Sequence, residues 1–378
     1  MRRSIRTGLT VVVLASAWAV AWGQAPRPAA LPAQPAAAET PKRQELVVPP
    51  GYQKVTVGGH TALCEARDVE WVRQALGEVK PASKPSPAPT DVVKALADKR
   101  AALGKAVMTD LALADDRSVG EFLDGKLIPN LNKLDAVRPP VFFLVTTREK
   151  LRDLTKTGWG EPRFHYNGVA DAAAFDTSVP FSIDRPMDDV VLPEQYADAT
   201  PVADRVKGLT AEVEQFDAAV AKQATDQVTP VTFSLFVQFL REKHLDPLKL
   251  RRDQQWLAMG ISNLLAVKYA SVVTGAPRDE MLRSLATEPA NFPVSARSID
   301  LTRPTDEASM RPELVAYYTM SMQRKSLAVV AFWVERAGEG AIPKTLTALR
   351  KGVPADAAGL IKLVQEASGV DLSRYLAG

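Results

Sequence analysis

One segment near the middle of the chain, VTFSLFVQFL at 231–240, constrains the fold most strongly because it has almost no polar face. A helix that is apolar all round must be covered on every side. Segments with apolar residues at helical spacing continue from about Gly208 to the end of the chain, and most of them stop at Gly or Pro. The sequence therefore predicts an all-helical carboxy-terminal subdomain over 207–378, with 231–240 as its buried central helix.

The first half of the chain has a different pattern. YQKVTV alternates between apolar and polar residues, Gly58-Gly59 supplies a turn, and HTALCEA is a second strand candidate. A helical segment follows, and the continuous apolar run VFFLVTT at 141–147 is typical of a buried strand. Two more strands are predicted within 163–184. These features indicate an amino-terminal subdomain with a short sheet over 51–206, and the α+β class for the whole chain.

Few residues that carry out catalysis are present. The 378 residues include three histidines and one cysteine, so an internal disulfide framework is excluded. We expect Cys64 to be a small buried residue, with an intermolecular disulfide as the alternative. The sequence lacks the serine-nucleophile and phosphate-loop motifs. The plain interpretations of the histidines are a turn for His60, a strand for His165 and an exposed helix end for His244.

Residues 1–23 have the pattern of a secretory signal peptide, with early arginines, an uncharged apolar run and small residues before a cut after Gly23. The uncharged run is shorter than the roughly 20 residues of a spanning helix, which disfavours the alternative of an uncleaved anchor. Cleavage would remove three arginines and no acid, cancelling the formal net charge of +3. We expect a secreted or periplasmic protein with a Pro/Ala-rich linker at 24–50, no nucleic-acid partner and no further transmembrane segment.

Two motifs on consecutive predicted helices resemble a known family. Ser234 and Gln238 lie one helical turn apart on the apolar segment, and WLAMGIS follows at 256–262. This layout resembles the gluzincin-type zinc metallopeptidases, the peptidase MA-like group, and loose similarity extends over 51–378. The resemblance implies a thermolysin-like peptidase scaffold, in which an H-E-x-x-H helix and a downstream glutamate bind zinc.

The residues that the resemblance assigns to zinc chemistry are replaced in this chain. Ser234 and Gln238 stand where the two histidines would be, and Leu235 stands where the general base would be. Trp256 matches the second motif, but Met259 occupies the position of its glutamate. These residues would mark a vestigial cleft without a metal, a cofactor or a catalytic group. We therefore expect an exported pseudoenzyme that has a binding or scaffolding role toward a protein or peptide ligand.

Two other functions remain open. The chain could be an active hydrolase or peptidase with a relocated or non-standard site. It could also be a structural envelope protein unrelated to peptidases, and a structure in which 231–240 and 256–272 do not pack side by side would favour this interpretation.

Overall fold

The computed structural model describes residues 48–80, 88–136, 141–147, 149–150, 153–154, 169–171, 196–289 and 292–377. The predicted signal peptide at 1–23, most of the predicted linker at 24–50 and His165 lie outside these residues. Only residues 169–171 are described from the segment 163–184, for which two strands are predicted.

The described elements follow one another along the chain in this order. The first half contains β1 (Tyr52–Val57), β2 (His60–Glu65), α1 (Val69–Glu78), α2 (Pro89–Leu111), α3 (Arg117–Phe122), α4 (Ile128–Ala136), β3 (Val141–Leu144) and β4 (Val169–Asp171). The second half contains α5 (Val202–Leu240), α6 (Gln255–Thr274), α7 (Arg278–Ala286), α8 (Pro312–Ala337), α9 (Ala341–Lys351), α10 (Ala357–Ser368) and α11 (Ser373–Leu376). The expected α+β class is confirmed.

The chain divides into two compact units. The mixed unit contains Pro26–Ala88 and Asp135–Asp226, and the helical unit contains Pro89–Leu134 and Gln227–Gly378. The boundary expected from the sequence, at 206/207, instead falls inside α5. The division differs because α2 packs on α6, where Lys99 donates to the carbonyl of Val272 and Tyr269 donates to Asp110.

The mixed unit is built on a sheet with the order β1-β2-β3-β4. Strand β2 pairs antiparallel with β1 and parallel with β3, and β3 pairs antiparallel with β4. A core cluster joins this sheet to α1 and to the first part of α5. Cys64 belongs to that cluster and is fully buried, which confirms its prediction as a small core residue.

Helix α5 is longer than the sequence suggests. The pattern predicts separate helices before and after Pro230, because proline lacks the N–H of the helical ladder. The structure instead has one helix through Pro230. In a helix the N–H of residue 230 would donate to the carbonyl of Asp226, and Pro230 has no N–H. The division between the two units falls at the same place, between Asp226 and Gln227.

Helix α6 forms the centre of the helical unit, and most of its residues are buried. The segment Arg252–Thr274 is long and apolar enough to cross a membrane by composition, but it is 78% buried within the protein. A core helix passes the same test. Its burial is therefore explained by its neighbours in this unit.

Gly260 allows α6 and α8 to approach closely. A Cβ at this position would lie 2.3 Å from Cγ2 of Val330 and 2.4 Å from the carbonyl oxygen of Ser326. The two helices run in the same direction, since Lys268 near the end of α6 contacts Glu339 just after α8. The glycine of the WLAMGIS motif is thus required by helix packing.

Candidate functional site

The positions on α5 that resemble a zinc site lie in or at the edge of the apolar core. Leu235 is 6% exposed. The Ser234 hydroxyl is buried and has no hydrogen-bond partner among the described residues. Gln238 is only partly buried and its amide donates to the Glu242 carboxylate at 2.8 Å. None of these side chains forms a polar cluster with another of the predicted site residues.

The two positions on α6 are also core residues. Trp256 is 1% exposed and Met259 is 4% exposed. The end of α5 lies against α6, where the rings of Phe236 and Tyr269 are 5.5 Å apart. Arg241, the residue after α5, donates to Gln255 of α6. These contacts pack the two helices together, and the vestigial cleft remains a prediction.

Metal-ligating side chains are dispersed over the described part of the chain. No cluster of three or more His, Cys, Asp or Glu side chains there could hold a metal ion. The described histidines lie in different units, His60 in the mixed unit and His244 in the helical unit.

A pocket of about 470 Å³ in the helical unit brings together basic and imidazole side chains. Lys243, His244 and Arg350 line it together with Gly352 and an apolar wall. That wall consists of Leu113, Pro247, Leu248, Leu349 and Val353. We call this site the basic pocket, because its lining contains two cationic side chains and no carboxylate.

Irregular backbone surrounds the basic pocket. Lys243 and His244 belong to a π-helical turn, Arg241–Leu245, that continues directly from α5. Ala112 and Lys249 are the non-glycine residues with positive φ among those described, at 50° and 55°, and each is adjacent to a lining residue. π-helical turns and left-handed non-glycine residues both concentrate at functional sites. Because both features border the basic pocket, we take it, and not the contact between α5 and α6, as the candidate functional site.

The prediction that His244 lies at an exposed helix end is wrong. Its side chain is partly buried, its ring packs edge-on against Phe239 at 5.0 Å, and Nε2 lies 3.4 Å from Oγ of Ser118. Burial, together with the charges of Arg350 and Lys243, lowers the pKa of His244 to about 4. The imidazole is consequently neutral at pH 7 and offers one donor and one acceptor nitrogen.

Arg350 is fixed at the rim of the pocket by the end of α2. Its guanidinium donates to the carbonyl oxygens of Leu111 at 2.7 Å and Ala112 at 3.0 Å. A cation at a helix carboxy terminus is favoured by the helix dipole. These two bonds leave other guanidinium N–H donors for a ligand.

Nearby carboxylates are bound to other groups. Asp246 accepts from Nε of Arg241 at 2.8 Å, and Glu242 accepts from Gln238 and lies 3.4 Å from Lys126. Within the described residues, neither Lys243 nor Arg350 has a carboxylate at ion-pair distance. The pocket therefore keeps its positive charge.

Comparison with protein families, with characterised proteins and with solved structures finds no match to this chain. Sequence reasoning missed the basic pocket, because Lys243 and Arg350 are far apart along the chain. The π-helical turn that presents Lys243 and His244 also has no recognised sequence signature.

Proposed function

We propose that the protein is an exported binding protein with a degenerate, thermolysin-like peptidase scaffold and no peptidase activity. One observation carries the proposal. The residues at the positions of the family's metal ligands and general base are Ser234, Leu235, Gln238 and Met259, and Leu235 and Met259 are buried in the core. A catalytic zinc needs imidazole or carboxylate ligands and an open coordination position for water.

Packing around these positions supports a structural role for both helices. Gly260 brings α8 within contact of α6, and Trp256 and Met259 of α6 are 1% and 4% exposed. Met259 at the position of the family's glutamate ligand and Leu235 at that of its general base would also remove the cost of burying a carboxylate without an ion. Such a scaffold is stable without a metal and is free to serve in binding.

Metal content and hydrolysis test the loss of activity. The purified chain, incubated with Zn²⁺ and desalted, is expected to retain far less than one zinc per chain. It should also hydrolyse an unstructured protein substrate at the same background rate with and without chelator. One tightly held zinc per chain, or hydrolysis that a chelator abolishes, would overturn the proposal.

Restoring the ligands tests the resemblance itself. The variant Ser234→His/Gln238→His/Met259→Glu should bind one Co²⁺ with a tetrahedral absorption spectrum if the scaffold is that of a zinc peptidase. The matched control replaces only Ser234 and Met259 and should bind much more weakly. A triple variant that retains the helical circular dichroism of the wild type but binds no Co²⁺ would reject the peptidase scaffold.

Mass spectrometry of the expressed protein tests export independently of metal binding and hydrolysis. When the gene is expressed in a bacterium, the protein recovered from the periplasm should begin at Gln24. A full-length chain in the cytoplasm would contradict the proposed localisation.

A further inference from the structure

We propose that the basic pocket binds a small amphipathic anion, with its carboxylate or phosphate group beside Lys243 and Arg350 and its alkyl or aryl portion on the apolar wall. This inference does not depend on the peptidase resemblance. It concerns a site on the π-helical turn and α9, separate from the positions 234–238 and 256–259.

Charge is the first reason for this ligand class. Lys243 and Arg350 both line the pocket, and the nearest acids along the chain, Glu242 and Asp246, are held by other partners. Two cations near one another repel unless an anion lies between or beside them. A bound oxyanion would relieve that repulsion and accept hydrogen bonds from both side chains.

The state of His244 is the second reason. Because its imidazole is neutral at pH 7, it does not add a third charge but can donate one N–H to a ligand oxygen. A neutral donor beside two cations suits a carboxylate or phosphate oxygen, and the charges of Lys243 and Arg350 repel a cationic ligand.

The apolar wall is the third reason, and it sets the size of the ligand. Leu113, Leu248 and Val353 are partly exposed within a pocket of about 470 Å³. That volume lies in the range of sites for small organic ligands. Inorganic phosphate or acetate alone would leave this wall in water, whereas a short chain or ring would cover it.

Titration calorimetry with a matched series of probes tests the proposal. Hexanoate should bind at least about tenfold more tightly than acetate, because the added methylenes are buried. The neutral analogue 1-hexanol should bind at least about tenfold more weakly than hexanoate. Phenyl phosphate and benzoate share a ring, so their relative affinities identify whether phosphate or carboxylate is the preferred group.

Variants locate the binding in the pocket. Lys243 is exposed and has no carboxylate partner among the described residues, so Lys243→Glu should fold normally and weaken anion binding at least tenfold. Lys243→Met tests the loss of charge without reversal and should weaken binding by about three- to tenfold. The control Lys344→Glu makes the same charge change on α9 at a residue that does not line the pocket, and it should leave affinity unchanged.

Three results would overturn the proposal. They are the absence of saturable binding by all four anions, equal affinity for hexanoate and 1-hexanol, and unchanged affinity in Lys243→Glu. Nuclear magnetic resonance adds a local readout, since only three histidines are present and His244 can be assigned with His244→Gln. The imidazole signals of His244 should shift on anion binding, and those of His60 should not.

Discussion

The interiors of the mixed unit and the helical unit differ in how the polar side chains of their described residues are paired. In the mixed unit, buried polar side chains pair across elements: His60 with Asp217 at 2.9 Å, and Tyr196 with Glu212 at 2.6 Å. In the helical unit, the facing surfaces of α6 and α8 bury Gln323 and Ser326, whose side-chain oxygens have no partner among the described residues. Hydrogen bonds join elements in both units, as Tyr269 to Asp110 does in the helical unit, but the crossing of α6 and α8 depends on close fit at Gly260.

The largest effect should follow from adding one methyl group at the helix crossing. Gly260→Ala places a carbon within contact of Val330 and the backbone of α8, so the helices must separate. We expect a loss of about 3 kcal/mol in the free energy of unfolding, measured by urea denaturation. Gly125→Ala is the control, because nothing lies within 4 Å of its added carbon. Equal stability of the two variants would show that close fit does not organise this unit.

The next effect concerns the polar pair of the mixed unit. A double-mutant cycle with His60→Ala and Asp217→Ala should give a coupling free energy of about 1–2 kcal/mol at pH 7, since both side chains are largely buried. The contrasting change in the helical unit is Ser326→Ala, which removes a hydroxyl that has no described partner. It should change stability by less than about 0.5 kcal/mol or increase it. If Ser326→Ala lowered the free energy of unfolding by more than the His60–Asp217 coupling free energy, this comparison of the two units would be wrong.

A smaller effect should appear as a pH dependence that originates in the helical unit. The pKa of His244 is about 4 in the folded protein and lies near 6.5 when the residue is unfolded, so the unfolded state binds its proton first. The stability contributed above pH 6.5 should therefore be lost as the pH falls from 6.5 to 4. We expect a loss of about 1 kcal/mol, because solvent reaches part of the ring. Unfolding of the wild type and His244→Gln at both pH values measures it, and identical slopes would contradict the assignment.

The smallest expected effect is the protection of the Cys64 thiol, in the mixed unit, from a thiol reagent. Burial raises the pKa of the Cys64 thiol to about 12, and its side chain has no exposed area. A thiol reagent at pH 8 should leave the native protein unmodified and label one thiol per chain in denaturant. The control Glu70→Cys adds an exposed thiol in the same unit and should react within minutes. Rapid labelling of Cys64 in the native wild type would show that this core opens easily.

Much of the fold was predictable wherever it depends on local pattern. Helical spacing predicted α6 and the buried segment 231–240, and alternation around Gly58-Gly59 predicted the β1–β2 hairpin. The helix break predicted at Pro230 is wrong, because α5 continues through the proline despite the missing helical hydrogen bond. His244 was assigned to an exposed helix end because Pro247 follows it, whereas the structure continues α5 into a π-helical turn.

The sequence by itself determined most of the helical segments of the carboxy-terminal half, the strands that pair as a hairpin, and the burial of 231–240 and Cys64. These properties depend on the periodicity and polarity of neighbouring residues. Only the tertiary structure decided that 89–134 pack with the carboxy-terminal helices, that Gly260 serves a helix crossing, and that Lys243 and Arg350 share a pocket. Such contacts join residues distant in sequence, and their energies depend on shape and charge in three dimensions.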